Sequence, residues 1–420
     1  MVWKHTLNVR VLLILLTVID QIDEVPVGQI YEAAFDFCTM NLALHKMPDV
    51  LCFSHLRWDF VYQRPQHLLS RFAKENRVFF IEEPILGSDT ARFDVSKRED
   101  NLHVVVPYIP VSANGDTQGF LRSQLEKLID DYHITDHISW YYTPQMLPWS
   151  RDLHPRTVIY DCMDELSAFK FAPPNLLENE RQLLERADLV FTGGQSLYEA
   201  KKDRHPRVFA FPSSIDREHF AQARTIKEEP DDQKNVPHPR LGFCGVIDER
   251  FDIDLLAEMA ELRPEWSFLM VGPVVKIAEQ DLPQRENIYY LGSKNYADLP
   301  KYLAGWDIAL MPFALNESTR FISPTKTPEY LAAGKPVIST PIRDVVRPYG
   351  EMKLVEIAST ADEFIAAANR ILLVGDSEYW LSRVDAFLSA TSWDKTYNEM
   401  NGLIMEQVVA GPPGAFTKAV

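Results

Sequence analysis

From residue 49 onward, short apolar runs alternate with amphipathic stretches. Residues 50–54 read as a buried strand, and after a loop the spacing predicts a helix over about 65–74. Residues 78–81 and 104–107 continue as strands. Residues 121–131 have helical periodicity, 138–142 and 158–160 read as strands, and 176–185 as a helix. Strands follow at 189–192 and 208–211. The alternation stops at 225–240, where KEEPDDQKNVPHP is charged and proline-rich, as interdomain linkers are. It restarts with strands at 241–244, 268–271, 289–291, 308–311 and 337–339, and helices at 255–262 and 299–304. From about 361 to 406 the chain reads as helical. Short apolar strands separated by helices are buried on both faces, which predicts parallel sheets covered by helices. Two such units in succession predict an α/β protein of two Rossmann-like domains facing across a cleft. Ligands then sit at the carboxyl ends of the strands. The expected division is an extension over 1–46, a first domain over 47–224, a linker over 225–240 and a second domain over 241–375. C-terminal helices over 376–420 are expected to pack back toward the first domain.

The extension has its own pattern. Residues 11–19 are strongly apolar but well short of the roughly 20 needed to span a bilayer. Lys4 and Arg10 precede the run, as in a signal peptide, but acidic residues follow it and no small-x-small cleavage site does. Three readings stay open: a signal or anchor, an appendage helix, and an upstream extension of the gene model, with Met47 as a natural start. The chain has 420 residues and a net charge of −17. Such acidity argues against general nucleic-acid binding and against tight, non-specific adhesion to anionic lipid, and leaves room for a local basic patch. Weak peripheral association with the cytoplasmic membrane face remains compatible. Cys38, Cys52, Cys162 and Cys244 are scattered without zinc spacing and suit a reducing, cytoplasmic compartment.

The richest stretch is SPTKTPEYLAAGKPVIST, residues 323–340. It predicts a short helix with a Ser-Pro or Thr-Pro start, stopped at Gly334 and followed by a strand. Lys326 and Glu329 lie three apart and share a face near the positive helix end. A lysine there suits a diphosphate, and a carboxylate one turn on suits a ribose diol. An ordinary α/β helix with an exposed Lys and Glu has the same pattern. The stretch resembles the donor-binding segment of the GT-B glycosyltransferases of group 1, the retaining, family 4-like enzymes. Four further segments fit that resemblance in order: LGFCGVIDERFDID at 241–254, FLMVGP at 268–273, IYYLG at 288–292 and WDIALMPF at 306–313. It implies that the loop of Gly245 and Arg250 meets the donor diphosphate, that Gly272 ends a strand at the donor site, and that the Leu291 and Gly292 backbone meets the base. It further implies that Ser323, Pro324, Lys326 and Glu329 complete the donor site. Many members carry two glutamates eight positions apart. Glu329 matches the second, but Phe321 stands at the first.

On the first domain, WxxVxQRPQ at 58–66 resembles bacterial members linked to surface polysaccharide synthesis. His55, Trp58, Gln63, Arg64 and Gln66 follow the first strand and are expected at the acceptor side of the cleft. Trp58 and His55 read equally as core residues. Asp161 and Asp164 end another strand there, as acceptor-orienting or proton-accepting groups or as plain caps.

The resemblance implies transfer of a sugar, with retention, from a nucleotide diphosphate to a glycan or lipid-linked acceptor, in the cytoplasm or at the inner face of the membrane. No residue is an obvious nucleophile. A front-face reaction is therefore expected, with Asp161, Lys326 and Arg250 as the catalytic groups and stabilisation of the leaving diphosphate as the main contribution. Asp252 and Asp254 read as helix caps rather than a metal pair, so no metal and no other cofactor is expected. A GT-B-like sugar-nucleotide epimerase and a non-catalytic nucleotide-sugar or glycan-binding partner stay open as alternatives.

Overall fold

A computed structural model describes residues 47–110, 116–375 and 377–410. The expectations for residues 1–46, the apolar run and Cys38 included, lie outside the described residues. From Pro48 onward the chain is one compact unit. None of its described helices is long and apolar enough to cross a membrane.

The first half builds a nine-stranded sheet from β1 (Asp49–Phe53), β2 (Val78–Ile81), β3 (Ile85–Ser88), β4 (Arg92–Glu99), β5 (Leu102–Pro110), β6 (His137–Tyr141), β7 (Thr157–Cys162), β8 (Leu189–Thr192) and β9 (Val208–Ala210). Its order is β3-β5-β2-β1-β6-β7-β8-β9. Every pairing is parallel except that of β4, which runs antiparallel to β5. The second half builds a six-stranded parallel sheet from β10 (Arg240–Cys244), β11 (Ser267–Val271), β12 (Ile288–Gly292), β13 (Ile308–Met311), β14 (Val337–Ser339) and β15 (Glu356–Ile357). Its order is β12-β11-β10-β13-β14-β15. The central strands β1, β6, β7, β11 and β13 are buried at every residue, as sheets covered on both faces require. The fold is the expected pair of Rossmann-like halves.

Strands β3 and β4 had no place in the sequence pattern. Most residues of Arg92–Glu99 are charged and exposed, so it offers no apolar run to read. It stands because β5 supplies its ladder and because Phe93 and Val95 pack on the core beneath. The charged segment 225–240 lies against the second half rather than free in solvent. Gln233 is fully buried; it accepts a hydrogen bond from Trp306 Nε1 at 3.0 Å and donates to the Tyr302 carbonyl at 3.0 Å. Three helices end the chain, at Ala361–Val374, Glu378–Leu388 and Trp393–Ala410. The last one returns to the first half. Its Trp393, Met400, Ile404 and Val408 join the core of Val50, Phe72 and Trp140, and Trp393 stacks on His67 with ring centroids 4.6 Å apart.

One buried ion pair ties these pieces together. Arg64 begins the helix after β1 (Arg64–Phe72), and Asp161 lies in β7. They are 3% and 0% exposed, so neither meets solvent. Arg64 Nε and Nη2 donate to Asp161 at 2.9–3.1 Å, and Nη1 donates to the Phe211 carbonyl at 2.8 Å. Asp161 is therefore not the cleft-facing catalytic group that the sequence suggested, and Arg64 is not an acceptor contact. A buried charge survives only when paired and hydrogen-bonded, and this pair is saturated. Asp161→Ala is expected to lower stability by about 3–5 kcal/mol, because it strands a buried guanidinium. Urea denaturation followed by circular dichroism measures this; a wild-type midpoint would show that the pair carries no such weight.

Candidate donor site in the cleft

The carboxyl ends of both sheets converge on one cleft, where two glycine turns set the closeness of the second-half loops. Gly245 after β10 has φ +155° and Gly272 after β11 has φ +142°. A methyl group on Gly272 would stand 1.9 Å from the Gly245 carbonyl oxygen, and one on Gly245 would stand 2.0 Å from Lys326 Cε and 2.6 Å from Nζ. Only glycine lets the two loops and the lysine share this space. Both expected glycines are thus at the site. The helix begins at Lys326 (Lys326–Ala332), later than the Ser323 start considered from the sequence. Pro328 therefore falls in its first turn, where the missing N–H costs no intrahelical bond.

Lys326 and Glu329 face each other's charge in an enclosed setting. Burial pushes the Lys326 pKa down, and Glu329 and Cys244 pull it back up. Burial raises the Glu329 carboxyl to about 7, with Lys326 acting against the rise. No hydrogen bond to another described residue fixes either side chain. Arg250 is held differently. Its Nε and Nη2 donate to buried Asp248, the closer bond at 2.7 Å, and its guanidinium lies 5.2 Å from the Phe169 ring. Nη1 makes no hydrogen bond among the described residues and remains for a ligand.

The first half meets these cations with Asp164 and Phe169. Burial raises Asp164 to about 6, and Arg250 is the strongest opposing charge, followed further down by Lys276 and Lys326. Lys276, which the sequence gave no reason to single out, reaches the same place. Its φ of +63° is unusual for a side-chain-bearing residue. Its ammonium lies 4.8 Å from the Phe169 ring and 3.4 Å from Glu249. Three cations and several carboxylates thus meet between the halves.

The other sequence candidates separate. His55 is at this cleft: burial lowers its pKa to about 4, with Lys276 adding to the effect, and its buried Nδ1 has no partner. Trp58 packs edge-on against Phe80 at 5.1 Å while bordering a cavity of about 330 Å³. Gln66 is buried and spends its amide on the Trp58 and Val61 carbonyls, at 2.7 and 3.1 Å. It shapes the 58–63 loop, and Gln63 caps the next helix against it. Leu291 and Gly292 end β12 beside that cavity without lining it. The Ser323 carbonyl accepts a bond from Ser213 Oγ of the first half at 2.8 Å, so it serves closure, with Pro324 half-buried behind it. Phe321, at the missing acid, packs against the core of the first half. Asp252 caps the Ile253–Leu262 helix, accepting from Leu255 N at 2.9 Å. Among the described residues no group of three His, Cys, Asp or Glu is arranged to hold a metal.

Known proteins share this organisation. Residues 238–373 match the family Glycosyl transferases group 1. A curated relative, the putative teichuronic acid biosynthesis glycosyltransferase TuaH of Bacillus subtilis, is 28% identical over 292 residues, covering 63% of this chain and 72% of that protein. Among solved structures, sucrose-phosphate synthase from Thermosynechococcus elongatus superposes with a TM-score of 0.66 at 16% identity, covering 86% of this chain and all of that one. HepE from Anabaena, in complex with UDP, does so with a TM-score of 0.59 at 15% identity, covering 85% and 100%. At these identities the solved structures speak for the fold alone. The fold is thus the two-domain fold of these solved structures, and residues 238–373 resemble the glycosyl transferases group 1.

Proposed function

We propose that this chain moves a sugar from a nucleotide diphosphate to a glycan or lipid-linked acceptor, with retention of configuration, in bacterial surface polysaccharide synthesis. The observation that carries the reading is the placement of Lys326 over Gly245 with Glu329 beside it, both enclosed and without fixed partners. Lys326 and Arg250 take the diphosphate, and Glu329 takes the ribose diol. As the bond to the sugar breaks, charge grows on the diphosphate, and preorganised cations in a desolvated cleft stabilise it there. The leaving phosphate then accepts the proton of the incoming hydroxyl on the same face of the sugar. Asp164, across the cleft, orients that hydroxyl. The likeness to TuaH supports the surface polysaccharide role. The acidic surface and the lack of a spanning helix among the described residues suit a cytoplasmic protein that meets a lipid-linked acceptor by weak contact with the membrane face.

Lys326→Ala and Glu329→Ala are each expected to weaken donor binding or turnover by about 1.5–3 kcal/mol, the usual loss for a charged hydrogen bond, with the fold intact. Acceptor-free hydrolysis of nucleotide sugars gives a direct readout, and it separates an enzyme from a mere binder. Wild-type values in both variants would sink the assignment.

The raised Glu329 pKa gives a pH signature. The fold favours its protonated form, so the stability contributed by this group falls as pH rises from the ordinary carboxylate range through about 7. Ribose binding has the opposite sign, because the ionised carboxylate is the better acceptor for two hydroxyls. Nucleotide affinity is expected to rise by about tenfold between pH 6 and pH 8, with proton release on binding. Titration calorimetry in buffers of different ionisation enthalpy measures both. In Glu329→Gln this share of the pH dependence disappears, and only that of the phosphate remains; an unchanged profile would contradict the role.

We further propose that no metal takes part, because Lys326 and Arg250 supply the positive charge and the Asp252 carboxylate is engaged as a helix cap. Turnover is expected to survive excess EDTA, and Asp254→Asn to reduce it only modestly. A strict requirement for Mg²⁺ or Mn²⁺ would overturn this.

A further inference from the structure

The cavity of about 330 Å³ lies between the 58–63 loop of the first half and the turns at Gly245 and Gly272 of the second. Tyr296 lines it from the loop after β12. The Tyr296 hydroxyl is buried and has no hydrogen-bond partner. An orphaned phenol of this kind costs free energy unless a ligand completes it. Its ring, by contrast, is firmly placed. His219 stacks on it with centroids 4.4 Å apart and planes 12° apart, and His219 Nε2 bonds the Tyr296 carbonyl at 3.0 Å. Phe220 meets it edge-on at 5.6 Å. Tyr62, from the first half, stacks on it at 4.5 Å and 28° while remaining 42% exposed. Among charged groups, Glu329 acts most strongly on the Tyr296 hydroxyl. A fixed, unpaired hydroxyl thus lines a cavity that both halves enclose, together with Gly245, the turn against which Lys326 packs.

From this juxtaposition we infer that Tyr296 is a second ribose contact beside Glu329, and that Tyr62 is an aromatic cover which the first half places over the bound nucleoside. The inference rests on the donor reading above. A carboxylate accepts hydrogen bonds only, whereas a phenol also donates. Together they satisfy a vicinal diol more fully than Glu329 alone, and they discriminate against a sugar lacking one hydroxyl, since a buried polar group would then stay unpaired. Because Tyr62 belongs to the opposite half, its stacking adds affinity only when the cleft is closed.

The test is titration calorimetry on the full chain with UDP, ADP and GDP, followed by the 2′-deoxy and 3′-deoxy forms of the tightest. Wild-type protein is expected to lose about tenfold in affinity for one deoxy form. Tyr296→Phe keeps the ring and its stacking. It is expected to weaken the parent nucleotide by about fivefold and to narrow the discrimination against that same deoxy form, as coupling in a double-mutant cycle requires. Tyr62→Ala is expected to weaken all forms alike without changing the discrimination. If Tyr296→Phe binds and discriminates as wild type does, the ribose contact is overturned. If Tyr62→Ala binds with wild-type affinity, the cover is overturned. If the wild-type chain binds none of the three nucleotides, the donor reading itself falls.

Discussion

The cleft depends first on the buried pair of Arg64 and Asp161. It fastens the helix after β1 to β7, and through the Phe211 carbonyl to the chain just beyond β9. Two first-half elements that reach the cleft are anchored within a few residues of it. The 58–63 loop ends at Arg64, and the Asp164 turn leaves β7 three residues after Asp161. Met400 of the last described helix lies 3.9 Å from the same guanidinium, so that helix is clamped there too. A buried pair is a doubtful source of net stability, since desolvating two charges costs about what their attraction returns. Its value here is positional. The guanidinium accepts one arrangement of helix, strand and carbonyl and penalises any other.

The electrostatics of the cleft follow from enclosure. Arg250, Lys276 and Lys326 stand in a protein of net charge −17, so the positive field is local rather than general. Each cation has a nearby carboxylate: Asp248 on Arg250, Glu249 near Lys276, Glu329 beside Lys326. Phe169 lends its face to two of them. Among the described residues the shortest of these pairs is the one on Arg250, at 2.7 Å, and it leaves Nη1 without a hydrogen bond. Lys326 and Glu329 instead hold pKa values pushed toward their neutral forms by burial, and such perturbed groups in a cleft are what a ligand-binding site contains.

Much of this was legible in the sequence, and the boundary of legibility is physical. Strands buried on both faces announce themselves as apolar runs, so most strands of the two sheets were readable before the structure. Lys326, Glu329, Gly245 and Gly272 were readable because their local context of turn, helix start and strand end is itself the motif. Asp161 misled for a related reason: a strand-end aspartate looks alike whether it faces solvent or a buried arginine, and the partner Arg64 lies 97 residues away. Strand β4 was invisible because its partner supplies what its own residues lack. Lys276, Phe169, Tyr62 and Tyr296 carry no local signal at all. Their roles arise only when two loops from different halves meet.

That meeting is tightly specified. Gly194 approaches Ser323 so closely that a methyl group would stand 2.7 Å from its Cβ and 2.4 Å from Asp344 Oδ2. Asp344, on the second half, accepts from Ser196 N at 3.1 Å and from the Ser196 hydroxyl on the first. Burial raises its pKa, and the bonds from Ser196 draw it back. These contacts hold one edge of the cleft, while Tyr62 on Tyr296 holds another. Between the two edges lie the cations, where the halves touch mainly through Asp164 and Phe169. Unpaired polar groups nevertheless remain on both sides of the cleft. His55 Nδ1, Tyr296 Oη and Glu249 Oε2 are all buried without a partner. A buried polar group without a partner costs free energy, so a ligand that supplies donors and acceptors at those positions gains affinity by completing them.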